Sequence, residues 1–89
     1  MKRDLAFVLD ERTEYETIVE KLKKTSSLLQ LIELFDVYRG KGVDEGKKSL
    51  AIHLSFRSDE RTLESKEVDT EVEKIRHVLQ KEFGAIMRS

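Results

Sequence analysis

Asp36 and Tyr38 are the residues in this chain best spaced to grip a flat polar ligand. They stand two apart in Leu34-Phe35-Asp36-Val37-Tyr38-Arg39-Gly40-Lys41-Gly42. The stretch reads as a strand entering a glycine-rich turn, because Phe35, Val37 and Tyr38 favour strands while Gly40 and Gly42 stop the run. Side chains alternate along a strand, which puts Asp36 and Tyr38 on one face and Phe35 and Val37 on the other. A carboxylate accepts hydrogen bonds from the edge of a planar ring, and a phenol stacks on its face. The same pair also suits a plain solvated strand surface.

Other chemistries find less support. Gly40 to Ser49 has the wrong spacing for a phosphate loop, with Lys41 where the first glycine belongs and Lys48 where serine or threonine should follow the lysine; it also leads into a strand, not a helix. His53 and His77 are the only histidines and no cysteine is present, so no converging metal-ligand set is expected. No carboxylate pair stands out from the many acids for acid-base work, and no serine sits in a histidine-containing nucleophile pattern. Small ferredoxin-fold acyl-phosphate hydrolases use an arginine loop and an asparagine; Arg12 is here, but the chain has no asparagine.

The elements that must position Asp36 and Tyr38 follow from hydrophobic periodicity. Arg3–Asp10 alternates as a strand with Leu5, Phe7 and Leu9 on one face. Thr13-Glu14-Tyr15-Glu16 has the capping-box pattern, and Ile18, Val19 and Leu22 follow at helical spacing until Thr25-Ser26-Ser27 ends that helix. Leu28–Arg39 is the second strand, residues 40–47 the loop, and Ser49–Arg57 the third strand, with Leu50, Ile52, Leu54 and Phe56 facing one way. A long helix spans Ser65–Phe83 on a stripe of Val68, Val72, Ile75 and Leu79, with Gly84 as its terminator and Ala85-Ile86-Met87 as a short last strand. Right-handed crossovers turn this β-α-β-β-α-β order into an α+β, ferredoxin-like fold: a four-stranded antiparallel sheet in the order 4-1-3-2 with both helices on one face. The other face, carrying Asp4, Ala6, Val8, Asp36, Tyr38, Ala51, His53, Ser55 and Arg57, is then bare.

The 89 residues suffice for one small domain over 1–89. Charged residues make up 39% and hydrophobic ones 38%, a balance for a folded domain with a wet surface. No apolar run approaches the roughly 20 residues that span a bilayer, and no signal peptide is evident. A formal net charge of -1 does not advertise nucleic-acid binding. Arg39, Lys41, Lys47, Lys48, Arg57 and Arg61 nevertheless cluster around the central hairpin, either as part of a charge-mixed surface or as a cationic rim for a polyanion.

Several ordered motifs then carry a resemblance: Arg3-Asp4-Leu5-Ala6, Leu34-Phe35-Asp36-Val37-Tyr38-Arg39-Gly40, Gly46-Lys47-Lys48-Ser49-Leu50-Ala51, Arg61-Thr62-Leu63, Lys81-Glu82-Phe83-Gly84-Ala85 and Arg88. Together they resemble the ferredoxin-fold anticodon-binding domain that closes the beta subunit of bacterial phenylalanyl-tRNA synthetase. Met1-Lys2 stands where that family enters through Phe-Pro, and Glu64-Ser65 where it usually has Thr-Asp. The resemblance implies a non-catalytic RNA-binding domain within a cytoplasmic enzyme that joins phenylalanine to tRNA-Phe. That parent uses ATP and magnesium and has an alpha2-beta2 assembly; no catalytic residue, cofactor or metal is expected in these residues. The implied RNA contacts are Tyr38 stacking on an anticodon base, Asp36 on a guanine edge, Ala6 and Ala51 giving close approach, and Arg3, Lys48, Ser49 and Arg57 meeting phosphate or ribose. The competing expectation is a protein–protein interaction module using the same bare face.

Overall fold

The computed structural model describes residues 1–88. Its elements are β1 (Lys2–Asp10), α1 (Tyr15–Thr25), β2 (Leu29–Tyr38), β3 (Lys47–Phe56), α2 (Ser65–Phe83) and β4 (Ile86–Met87). The strands form one antiparallel sheet in the order β2-β3-β1-β4, which is the expected 4-1-3-2 topology. Leu5, Phe7 and Leu9 of β1 and Leu50, Ile52, Leu54 and Phe56 of β3 are buried with Ile18 and Leu22 of α1 and Val68, Val72, Ile75 and Leu79 of α2. All of the core thus lies on the helix side of the sheet, as the two strand alternations and the two helical stripes require.

Helix ends show two departures from simple pattern reading. The capping box expected at Thr13 does not form: α1 begins after Glu14, which makes no side-chain cap bond. Thr13 is used otherwise. Its N–H donates to the Asp10 carbonyl at 3.1 Å and its own carbonyl accepts the Lys48 ammonium at 2.7 Å, so the residue is held in the β1–α1 turn. At α2 the reverse holds, because Glu67 reaches back to accept the Glu64 backbone N–H at 3.3 Å. Gly84 closes α2 with φ 62°, a left-handed conformation that favours glycine, and its N–H donates to Leu79.

Glu67 also accepts both terminal nitrogens of the Arg61 guanidinium. That pairing first, and the Glu64 N–H second, hold its carboxyl below the ordinary glutamate value. A lowered folded-state value means full stabilisation above the unfolded value of about 4.3, lost as pH falls through the folded one. Protection of the amides at the start of α2, taken relative to intrinsic exchange at each pH, is therefore expected to fall as pH drops below the ordinary glutamate range and before the sheet loosens, and Glu67→Gln should abolish that early step.

The element that decides the functional face is β2. Leu34 pairs with Ile52, but Asp36 pairs with Ala51, so Phe35 is an extra residue in the ladder. Such a bulge sets two consecutive side chains opposite one partner and shifts the phase of everything beyond it.

Candidate nucleic-acid interface

Strand register lays out the helix-free face in rows. Tyr38, Ser49, Val8 and Ile86 form one row across the four strands; Asp36, Ala51 and Ala6 form the next; Glu33, His53 and Asp4 form the third; Leu31, Ser55 and Lys2 follow. Neighbouring strands are about 4.8 Å apart, so each row is a contiguous line of side chains. The middle row is an acid beside two methyl groups. Ala6 and Ala51 keep the centre of the face flat, and nothing from either helix covers it.

Tyr38 is 44% exposed, and its hydroxyl donates to the Lys41 carbonyl at 2.8 Å. That bond ties the ring to the turn, where Gly40 takes a φ of 120° and receives the Val43 N–H at 2.9 Å. The phenol is thereby oriented before any ligand arrives, with a ring face left to solvent. Asp36 is exposed, and among the described residues no hydrogen bond or ion pair engages its carboxylate. An acceptor with its lone pairs unused, beside an oriented aromatic plate, can take two donors from one edge of a planar ring.

Phe35 departs from strict alternation. Instead of sharing the far face with Val37, its ring stacks on His53 of the bare face, with centroids 3.8 Å apart and planes within 11°. The bulge is the cause, since it brings Phe35 and Asp36 to the same side. His53 is fixed in turn by Asp4, whose Oδ1 lies 2.5 Å from its Nδ1.

The expected cationic contacts divide by strand parity. Lys48 pairs with Leu9 and therefore faces the helix side, where it is 9% exposed and held by Thr13. Arg3 pairs with Leu54, also on the helix side, and its guanidinium lies 3.3 Å from Asp69 of α2. These two expected contact residues do not join the bare face. Their sequence neighbours do: Lys2 pairs with Ser55, and Lys47 lies two residues before Ser49. Ser49 is on the face but 8% exposed, accepting Arg88 Nη1 at 3.3 Å, so Arg88 covers it. Arg57 lies at the far end, paired loosely with Asp59 at 3.6 Å. Of the remaining hairpin cations, Arg61 is taken by Glu67 and Arg39 lies 3.9 Å from Glu11. Lys2, Arg88 and Phe35 thus stand on the bare face without having been singled out by the spacing. Parity could have revealed Lys2, since the alternation that sends Leu5 inward sends Arg3 inward as well.

Charge on this face is mixed: Asp36, Glu33 and Asp4 stand inside a perimeter of Lys2, Lys47, Arg57 and Arg88. Carboxyls held below their ordinary values lie at the end of β1 and along α2. Asp10 is lowered by its bonds from Arg12, and Glu71 by Lys74 with help from Ser26. Among the described residues no three His, Cys, Asp or Glu side chains are grouped to hold a metal ion, and no helix is long and apolar enough to cross a membrane.

Comparison with known proteins bears on what such a face is for. A family model for the ferredoxin-fold anticodon binding domain matches residues 1–88. Over 87 residues the chain is 48% identical to the phenylalanine–tRNA ligase beta subunit of Syntrophotalea carbinolica. Over 88 residues it is 43% identical to that of Dechloromonas aromatica and 47% identical to that of Vibrio cholerae. These matches take in 97% to 98% of this chain but 11% of the length of each relative.

Proposed function

The chain belongs to the ferredoxin-fold anticodon-binding domain family, and from that membership we propose that its bare sheet face holds the unpaired anticodon loop of tRNA-Phe. One observation carries the reading: an unengaged carboxylate, Asp36, stands beside the oriented Tyr38 ring at the end of a flat row of Ala51 and Ala6. Single-stranded loops are read in this way, by stacking on aromatic side chains and by hydrogen bonds to exposed base edges. Tyr38 takes a base on its face. Asp36 accepts from N1–H and N2–H of a guanine, donors that adenine does not present at those positions. Ala6 and Ala51 let the loop approach the backbone, with Ser49 beneath it and Arg57 at the far edge.

The chain makes no bond itself in this proposal. It positions tRNA for a cytoplasmic phenylalanine–tRNA ligase whose other parts supply ATP and magnesium chemistry and whose alpha and beta chains form an alpha2-beta2 heterotetramer. Titrating a tRNA-Phe anticodon stem-loop into the 89-residue chain tests the RNA step directly. Tyr38→Ala is expected to weaken binding by about 1–3 kcal/mol with native circular dichroism. Equal affinity for that variant, or no binding of any stem-loop by the unaltered chain, would reject the reading in favour of a protein-docking face.

Lysine parity gives a second expected result. Lys48→Met should lower folding stability by roughly 1.5–3 kcal/mol, as a charged hydrogen bond to Thr13 is lost, yet leave the salt dependence of RNA binding unchanged. Lys47→Met should do the opposite, reducing the slope of log affinity against log salt by about one. Urea unfolding and titrations at several salt concentrations separate the two.

A further inference from the structure

We propose that the stacked Phe35–His53 pair is a second base seat, taking an unpaired nucleobase with an exocyclic amino group next to the base held at Asp36 and Tyr38. The proposal rests on the RNA reading of the sheet face and extends it from one base to two. Three observations carry it. The bulge turns Phe35 onto the face, leaving the ring 51% exposed and parallel to His53 at 3.8 Å. Asp4 immobilises the imidazole through Nδ1, so the plate is rigid before binding. A shallow cleft of about 530 Å³ opens beside it, lined by Lys2, Arg3, Asp4, Glu33 and His53.

The chemistry of that cleft selects its occupant. Glu33 and Asp4 line the cleft with carboxylate acceptors for the edge of a base, while Lys2 suits a phosphate. Carboxylates favour the amino groups of adenine, cytosine or guanine over uracil, whose one imino donor is flanked by two carbonyl acceptors. Ala51 and His53 are two residues apart on β3, so the seats lie about 7 Å from one another. That spacing exceeds the 3.4 Å of helically stacked bases, so the two occupants are splayed and each reads its own plate.

Abasic substitution at each loop position of a tRNA-Phe anticodon stem-loop, titrated into the chain and its variants, tests the second seat. Phe35→Ala is expected to weaken binding about 5- to 150-fold, and Phe35→Leu, which keeps apolar bulk and guards against misfolding, should behave alike; Phe35→Tyr should bind as the unaltered chain does. Phe35→Ala should make one abasic position silent, and it should differ from the position silenced by Tyr38→Ala. Uracil at the Phe35-dependent position should weaken binding several-fold, and Glu33→Gln should erase that preference. Unchanged affinity in folded Phe35→Leu, or silencing of the same position by the Phe35 and Tyr38 variants, overturns the second seat. If the Tyr38 and Asp36 variants lose binding while those of Phe35 do not, the second seat falls and the first stands. If the unaltered chain binds no stem-loop, both fall together.

Discussion

Asp36→Ala is expected to weaken a guanine-bearing anticodon loop by about 10- to 150-fold while leaving the same loop with adenine at that position nearly unaffected. The carboxylate accepts from two guanine donors that fall back on water once it is gone, so the pair together is expected to contribute roughly 1.5–3 kcal/mol, the usual net value of hydrogen bonding to a charged group. Adenine presents an acceptor where guanine presents N1–H, so it has little to lose. The quantity to measure is therefore the ratio of the two affinities, in the unaltered chain and in the variant. Collapse of that ratio toward one assigns guanine selection to Asp36. A ratio that survives the substitution moves selection to another residue. Because the Asp36 side chain is exposed and makes no hydrogen bond or ion pair with another described residue, its removal should leave stability almost unchanged, and the binding data need no correction for unfolding.

Phe7→Ala has the largest expected effect on the fold. Phe7 is 0% exposed, paired with Leu50 on one side and Met87 on the other, and faces the helices. Deleting a buried phenylalanine side chain costs about 3–5 kcal/mol in lost transfer energy and residual cavity. A domain of this size has only about 5–15 kcal/mol in total, so the loss takes at least about a fifth of it and at the upper end all of it. Urea denaturation should show the midpoint falling steeply with little change in slope. RNA affinity of the fraction that remains folded should be unaltered, because Phe7 and the bare face lie on opposite sides of the sheet.

How much of this was readable beforehand depends on what period-two alternation can express. β1 and β3 alternate without interruption, so their buried faces, the helical stripes opposite them and the strand order all followed from spacing. The same logic applied to Arg3 and Lys48 sends both toward the helices, beside Leu5 and Leu50; the family resemblance, and for Lys48 also the cluster of cations around the hairpin, pointed them at RNA. β2 is different. Its two bulges, near Gln30 and at Phe35, add residues that no hydrophobic pattern marks, since Phe35 is as strand-like as the residues around it. Strict alternation therefore placed Asp36 and Tyr38 together correctly but put Phe35 behind them. The bond from Lys48 to Thr13 was equally hidden, because a lysine that docks on a turn carbonyl has no local signature.

The extra residue at Phe35 has a consequence for anyone wishing to transplant this surface. With Leu34 kept opposite Ile52 and a regular ladder beyond it, Asp36 would meet Leu50 and Tyr38 would meet Lys48, turning both toward the helices. A graft onto another four-stranded scaffold must therefore copy the backbone irregularity along with the side chains. Deleting Phe35 should instead keep Asp36 opposite Ala51 and Tyr38 opposite Ser49, straightening the ladder while removing only the ring that the bulge carries.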